Sequence, residues 1–378
     1  MALAVRRLGV LLVVALLGLA CAPARPPTTS PGAPAQGGAV AQPAVAAPTA
    51  AGGLAPQDPP LNPPVTVRVG VVGSASDAGV FIAQEKGYFR EQGLDIDLNQ
   101  FQALQQQVPL LGSGQLDVGG GGLNAGLFNA VAQDVRLRIV ADKGSLHPGF
   151  RWQGFVVRKD LVDSGTFGGC PSFKGMRVAN AADGNNAQIQ LERLLQECGL
   201  GLADIELIVM GYPDMLTAFK NGAIDASHML EPNITRLASD GLAILYKSSD
   251  EVYPDEQAAV LLYGPQFIAD QRPAAQRFML AYVKALRDYW EAFTRGTGRT
   301  EVIDILARTT SLKDPALIDR IGPTGLNPDG YVSLPTLAQD VDWWVAHGYV
   351  KTRVDVTQVV DHSFVDYAIE RLGRYPGR

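Results

Sequence analysis

Basic runs, histidine and cysteine are scarce in this chain. Three cysteines and four histidines among 378 residues supply no Cys-x-x-Cys and no His-Glu-x-x-His. The histidines, His147, His228, His347 and His362, stand far apart. A zinc site therefore has no ligand set legible in the sequence, and structural or solvated histidines are the expectation. No Gly-x-Ser-x-Gly elbow occurs, so the common hydrolase nucleophile is also missing. No stretch of Lys and Arg is dense enough to track a phosphate backbone, which argues against a nucleic-acid partner. The longest apolar run, residues 8–20, has 13 residues, short of the ~20 that span a bilayer.

The remaining composition, 47% hydrophobic and 19% charged, is that of a globular protein. Three unlike pieces make up this average. Residues 1–20 carry Arg6 and Arg7 and then the apolar run, the pattern of an export signal. The run ends Leu17-Gly18-Leu19-Ala20-Cys21, which resembles a bacterial lipobox and implies a lipidated, acylated Cys21 after cleavage. Residues 22–64 hold 12 of the 25 prolines and two charges, Arg25 and Asp58, a composition suited to a tether and unable to bury a core. Residues 65–378 remain, with 29 basic against 37 acidic side chains and a net charge of −8. That length predicts two lobes.

Hydrophobic patterning places strands at 65–72, 96–99, 116–118 and 139–141, with helices at 78–92, 105–113 and 124–133 between them. A similar set follows: strands 154–158, 177–180, 206–210 and 226–229, helices 187–197 and 215–221. Strand 260–263 returns the chain to the first unit, and helices 273–294, 301–309 and 334–347 complete it. The expectation is an α/β protein with a mostly parallel sheet flanked by helices in each lobe. Lobe 1 comprises 65–153 and 259–378, lobe 2 comprises 154–258, and the crossings fall near 151–155 and 260–263. Cys170 precedes one strand and Cys198 ends the following helix, which brings them near one another; a disulfide and two buried thiols are both open.

The segments Val80-Phe81-Ile82-Ala83-Gln84-Glu85-Lys86-Gly87-Tyr88-Phe89 and Leu111-Gly112-Ser113-Gly114-Gln115-Leu116-Asp117-Val118, with Phe173-Lys174-Gly175-Met176-Arg177-Val178, Asn221-Gly222-Ala223-Ile224-Asp225-Ala226 and Glu231-Pro232, resemble periplasmic solute-binding proteins of ABC importers. The branch is the one that includes nitrate-, sulfonate-, taurine- and thiamine-precursor-binding proteins. The resemblance implies a type II periplasmic-binding-protein fold, a ligand cleft between the lobes, a membrane permease as partner, a monomer, no cofactor and no catalysis. Some fungal relatives make a pyrimidine with a cysteine-rich motif, which this sequence lacks.

Ligands of open α/β sheets lie beyond the carboxyl ends of the strands. The loops there supply Ser74, Asp77, Gln102, Gly121, Asn124, Trp152, Gly184, Asn185, Asn186, Tyr212 and Glu231 as candidate contacts. Gly119-Gly120-Gly121-Gly122 lacks the ending of a nucleotide P-loop; it either opens backbone N–H groups to a ligand at a helix start or merely turns tightly. Asp77, Asp183, Asp214 and Glu231 with Phe101, Phe150, Trp152 and Tyr212 outweigh the cations Lys143 and Arg151 in these loops. Carboxylates repel an anion, whereas they accept N–H bonds from a ring that aromatics can stack upon. Trp152 equally suits lobe packing, and Asp183 a helix cap. The favoured ligand is a nitrogen heterocycle of vitamin or precursor type. A sulfonate, nitrate or bicarbonate oxyanion is the alternative, and an extracytoplasmic sensor is the alternative class. By resemblance, Glu231 occupies a position where thiamine-precursor-binding relatives carry glutamate, Asp77 lies in their first ligand loop, and Asn185 and Asn186 replace a serine-rich loop of sulfonate-binding relatives.

Overall fold

The computed structural model describes residues 54–56 and 58–376. The expected export signal, Cys21 and most of the expected tether lie outside them. Among the described residues no helix is long and apolar enough to cross a membrane.

Ten strands form two five-stranded sheets. The first contains β1 (Val65–Val71), β2 (Leu94–Gln100), β3 (Val118–Gly122) and β4 (Arg138–Ser145). The second contains β5 (Gln153–Arg158), β6 (Arg177–Asn180), β7 (Glu206–Val209), β8 (Ala226–Leu230) and β9 (Ala243–Ser248). Strand β10 (Gln257–Tyr263) returns to the first sheet. The strand orders are β2-β1-β3-β10-β4 and β7-β6-β8-β5-β9.

Both sheets are mixed rather than mostly parallel. β1 pairs in parallel with β2 and β3, and β6 with β7 and β8, but β10 and β5 run antiparallel to both of their neighbours. The physical reason is the double crossing: β5 and β10 each enter a sheet from the other lobe, against the direction set by the strand-helix units. The second crossing occupies residues 249–256, ahead of the expected 260–263, because β10 already starts at Gln257 and its apolar run at Ala258.

Helices cover both faces of each sheet. In lobe 1 the Arg272–Thr294 helix presses Phe278, Tyr282 and Leu286 onto Val67, Val69 and Ile82. The Leu334–Ala346 helix places Trp344 with Phe128, Leu111 and Leu262 on the other face. In lobe 2 the sheet separates a cluster around Phe155, Val178 and Leu195 from one around Val156, Phe219 and Met229. Cys170 and Cys198 are disulfide-bonded, their Cα atoms 5.7 Å apart. The last part of the expected tether is packed chain: Leu61 N–H donates to the Gln92 carbonyl at 3.1 Å, and Asp58 accepts bonds from Tyr367 and Arg371.

The lobes meet along the Asn186–Gln196 helix of lobe 2. Gln190 Nε2 donates to Glu256 Oε2 at 2.5 Å. The Arg193 guanidinium lies 3.5 Å from the centre of the Tyr253 ring and donates to Gln339 at 2.9 Å.

Candidate functional site

A cleft of about 480 Å³ lies between the two sheets, at the carboxyl ends of β1 and β8. Ser74, Gln102, Asn124, Trp152, Asn185, Asn186, Tyr212 and Glu231 line it. Asp77, Gly121 and Gly184 do not belong to the lining.

Asp77 is fully buried beneath the first cleft loop. Its Oδ1 lies 2.8 Å from Lys143 Nζ, with both side chains shut off from solvent, and its Oδ2 accepts from the Val72 and Ser74 backbone N–H groups at 3.1 Å. Lys143 also donates to Ser76 Oγ at 2.9 Å. The sequence suggested one free carboxylate and one free cation here; folding joins them, since a buried charge is tolerable only when paired. The pair shapes the loop from below and lends no net charge to the cleft.

Gly119 to Gly122 lie in β3 rather than in a cleft-facing loop. Space is tight at three of the four: a Cβ on Gly119 would lie 2.6 Å from Gln107 Oε1, one on Gly120 2.6 Å from the Val260 carbonyl oxygen, and one on Gly121 3.1 Å from Leu104 Cβ, whereas Gly122 has room for a Cβ and lines the cleft. The glycines allow the Leu104–Gly112 helix to sit directly on the strand, where buried Gln107 donates to the Gly120 carbonyl and accepts its N–H. Gly184, at φ +65°, turns the chain beneath Tyr349.

Two helix starts face each other across the cleft. Asn124 accepts the Gly126 N–H and Asn185 the Gln188 N–H, each at the N-terminus of its own helix, and the two asparagines form an isolated backbone bridge between the lobes. Both dipole ends therefore have acceptors supplied from within the chain.

Glu231 projects from the lobe 2 wall. Its N–H donates to the Trp152 carbonyl at 2.9 Å. Its oxygens accept from Thr235 Oγ1 at 2.9 Å and Thr235 N–H at 3.1 Å. Burial pushes this carboxyl upward, and the bonds from Thr235 and the Gly322 N–H oppose that. A carboxylate has about four lone-pair positions, so acceptor capacity remains. Tyr212 stays a neutral phenol because burial pushes it up. Trp152 both lines the cleft and packs on the two lobe 1 cores, its indole N–H on the Ser145 carbonyl at 3.2 Å.

The other charged loop residues point elsewhere. Asp183 is exposed and accepts from Tyr349. Asp214 is exposed and outside the lining. Arg151 pairs with Glu251 at 3.1 Å. Phe150 stacks on Trp290, and Phe101 packs with the second lobe 1 core. The cleft lining accordingly has no Lys, Arg or Asp among the described residues.

Sequence reasoning missed Gln153 and His228, and the wall made by Ser311, Leu312, Gly322 and Thr324. A polar residue at the cleft end of an otherwise apolar strand was the available signal for the first two. Nothing marked the last four, of which Ser311 is held at the cleft by its N–H bond to the Gly73 carbonyl at 2.8 Å. Of the other histidines, His147 packs against Phe150 and Trp290, His347 stacks on Trp343, and His362 accepts the Val332 N–H.

Two mixed α/β sheets facing one another across a lined cleft define a type II periplasmic-binding-protein fold, the architecture of two-lobed solute receptors. Within that class the chain belongs to the NMT1/THI5-like family, whose model matches residues 74–292. A Brucella abortus protein named as a binding protein is 25% identical over 316 residues, 80% of this chain and 91% of that one. The 4-amino-5-hydroxymethyl-2-methylpyrimidine phosphate synthase of Aspergillus parasiticus is 28% identical over 224 residues, 56% of this chain and 62% of the enzyme. The MOPS-bound alkanesulfonate-binding protein of Xanthomonas axonopodis pv. citri superposes with a TM-score of 0.61 at 22% identity, covering 79% of this chain and 98% of that structure. The same fold is found in the periplasmic nitrate-binding protein of Synechocystis PCC 6803, with a TM-score of 0.62 at 15% identity, covering 82% of this chain and 89% of that structure.

Proposed function

We propose that the protein is an extracytoplasmic solute-binding protein of an ABC importer. It captures an uncharged nitrogen heterocycle of vitamin or precursor type between its lobes and delivers it to a membrane permease. It acts as a monomer, with Cys21 lipidated. The observation that carries the ligand class is the charge of the cleft: Glu231 is its one carboxylate among the described residues, and no cation lines it. An anion meets repulsion from Glu231 with no cation to offset it, whereas a ring N–H finds an acceptor. Trp152 and Tyr212 offer faces for stacking, each worth about 0.5–1.5 kcal/mol beyond area. A solute that touches both lobes stabilises their closed arrangement by the contacts made only there.

The reaction named for the fungal relative is not proposed for this chain. Cys170 and Cys198 are bonded to each other, and Cys198 follows the end of the Asn186–Gln196 helix remote from the cleft.

Mass spectrometry of the solute that co-purifies with the protein tests the ligand class, with an aminopyrimidine-like or flavin-like ring expected. Glu231→Gln sharpens the result. Affinity for the ring should fall about tenfold, near 1.4 kcal/mol for one charge-assisted hydrogen bond; tighter binding of methanesulfonate or nitrate by the variant than by the wild type would instead favour the oxyanion.

A further inference from the structure

We infer that His228 and Gln153 form an uncharged hydrogen-bonding floor that reads a donor and an acceptor on the buried edge of the solute. This inference rests on the binding reading above and specifies how the site chooses among solutes.

The two side chains share one face of the lobe 2 sheet. In the antiparallel pairing of β5 and β8, Gln153 lies opposite Leu230 and Phe155 opposite His228. Opposite and alternate residues of such a pair face the same side, which makes Gln153 and His228 diagonal neighbours. Both line the cleft, and both are almost wholly buried, at 3% and 1% exposure.

Each carries an unspent polar atom. Gln153 Nε2 has no hydrogen-bond partner, and neither has His228 Nδ1. The other imidazole nitrogen lies 3.5 Å from Ser249 Oγ, and the ring meets Phe155 edge to face at 5.4 Å. A buried donor or acceptor left unmade costs roughly 1–3 kcal/mol, and native structures seldom leave two together without a use.

Their protonation states define the complementary solute. Burial alone pushes the His228 imidazole down to about 3, so the ring is neutral throughout the physiological range. Ser249 Oγ can accept from Nε2 or donate to it; the floor takes the form in which it accepts, so that Nδ1 presents a lone pair, and the nitrogen-15 shifts of the unliganded protein distinguish this form from the reverse tautomer. Gln153 Nε2 presents a donor. The matching edge has an N–H or O–H for His228 and a carbonyl or ring nitrogen for Gln153, as in a lactam or an aminopyrimidine. A sulfonate or nitrate has only acceptors and cannot satisfy His228 Nδ1 in this form.

The experiment uses calorimetric titration of the purified protein with cytosine, uracil and 4-amino-2-methylpyrimidine, with methanesulfonate and nitrate as opposing probes. His228→Asn and Gln153→Met should each weaken the best-binding ring at least tenfold while leaving the thermal midpoint of the unliganded protein within a few degrees. Nitrogen-15 NMR of the labelled wild type should show the His228 Nδ1 resonance shifting upon saturation with that ring. A ring that binds wild type and both variants alike, with an unmoved resonance, overturns the floor and leaves the heterocycle reading intact. Binding of the anions in place of every ring overturns both, and so does binding of neither the five probes nor riboflavin.

Discussion

The two lobes share a skeleton and differ in how they are filled. In each, the same strand order places a crossing strand antiparallel beside parallel ones. In each, an arginine on the first strand of the unit grips the aspartate leading into the third. Asp117 receives Arg68 N, Nε and Nη2 at 2.8, 2.9 and 2.6 Å, and Asp225 receives Arg177 N, Nε and Nη2 at 2.9, 3.0 and 2.6 Å. A left-handed glycine precedes each brace, Gly114 at φ +73° and Gly222 at φ +65°. The fillings diverge. Lobe 1 packs a 23-residue helix and buried Trp344, Tyr282 and Tyr289 around its sheet, whereas lobe 2 has two smaller clusters and a disulfide. The brace fixes strand registration in both, and the lobe with less apolar area to bury adds a covalent link.

The sharpest break in this comparison is expected beneath the cleft of lobe 1. Lys143→Met leaves Asp77 buried and uncompensated, which should cost about 3–5 kcal/mol in denaturant unfolding. Pairing it with Asp77→Asn should restore most of that loss, and a single-variant loss below about 1 kcal/mol would contradict the assignment of the pair as structural.

Next comes the covalent link of lobe 2. Replacing Cys170 and Cys198 by Ala opens a loop with a separation of 28 residues and should cost about 3–4 kcal/mol on the chain-entropy model. Hydrogen exchange should locate the loosening in β6 to β8 and not in β1 to β3. Equal acceleration in both lobes would refute independent reinforcement.

The shared brace predicts matched losses. Asp117→Asn and Asp225→Asn should each cost about 1.5–3 kcal/mol, the range for hydrogen bonds to a charged group. Losses that differ by more than the width of that range would mean that the two braces are alike only in shape.

The seam between the lobes should respond to pH. Glu256 and Asp340 are buried, and both carboxyls are pushed up, first by burial and, for Glu256, also by the nearby Asp340 charge; Asp340 rises to about 8. The folded protein thus holds protons that the unfolded chain releases near pH 4. The stabilisation is complete below that pH and declines as pH rises towards 8, by up to about 1.4 kcal/mol per pH unit for each carboxyl. Asp340→Asn should flatten the slope of unfolding free energy between pH 5 and 8; an unchanged slope would remove Asp340 as its source.

Much of the architecture was legible because it is local. Apolar periodicity marked β1, β6 and the Arg272–Thr294 helix almost to the residue. The cleft was harder, since its charge depends on partners far apart in sequence. Asp77 and Lys143 each looked free until folding paired them. Four consecutive glycines suggested a loop, yet they form a strand in which the missing side chains of Gly119 and Gly121 serve helix-on-strand contact. His228 and Gln153 sit inside apolar strands, where only the pairing of β5 with β8 reveals a common face.

The Asn124 to Asn185 bridge bears on how fast the cleft can open. Backbone joined to backbone across the cleft must part before the lobes separate, whatever solute lies behind it. Residence time then has a floor set by the protein's own opening rate, and weak and strong solutes converge in how fast they can leave once that step is limiting.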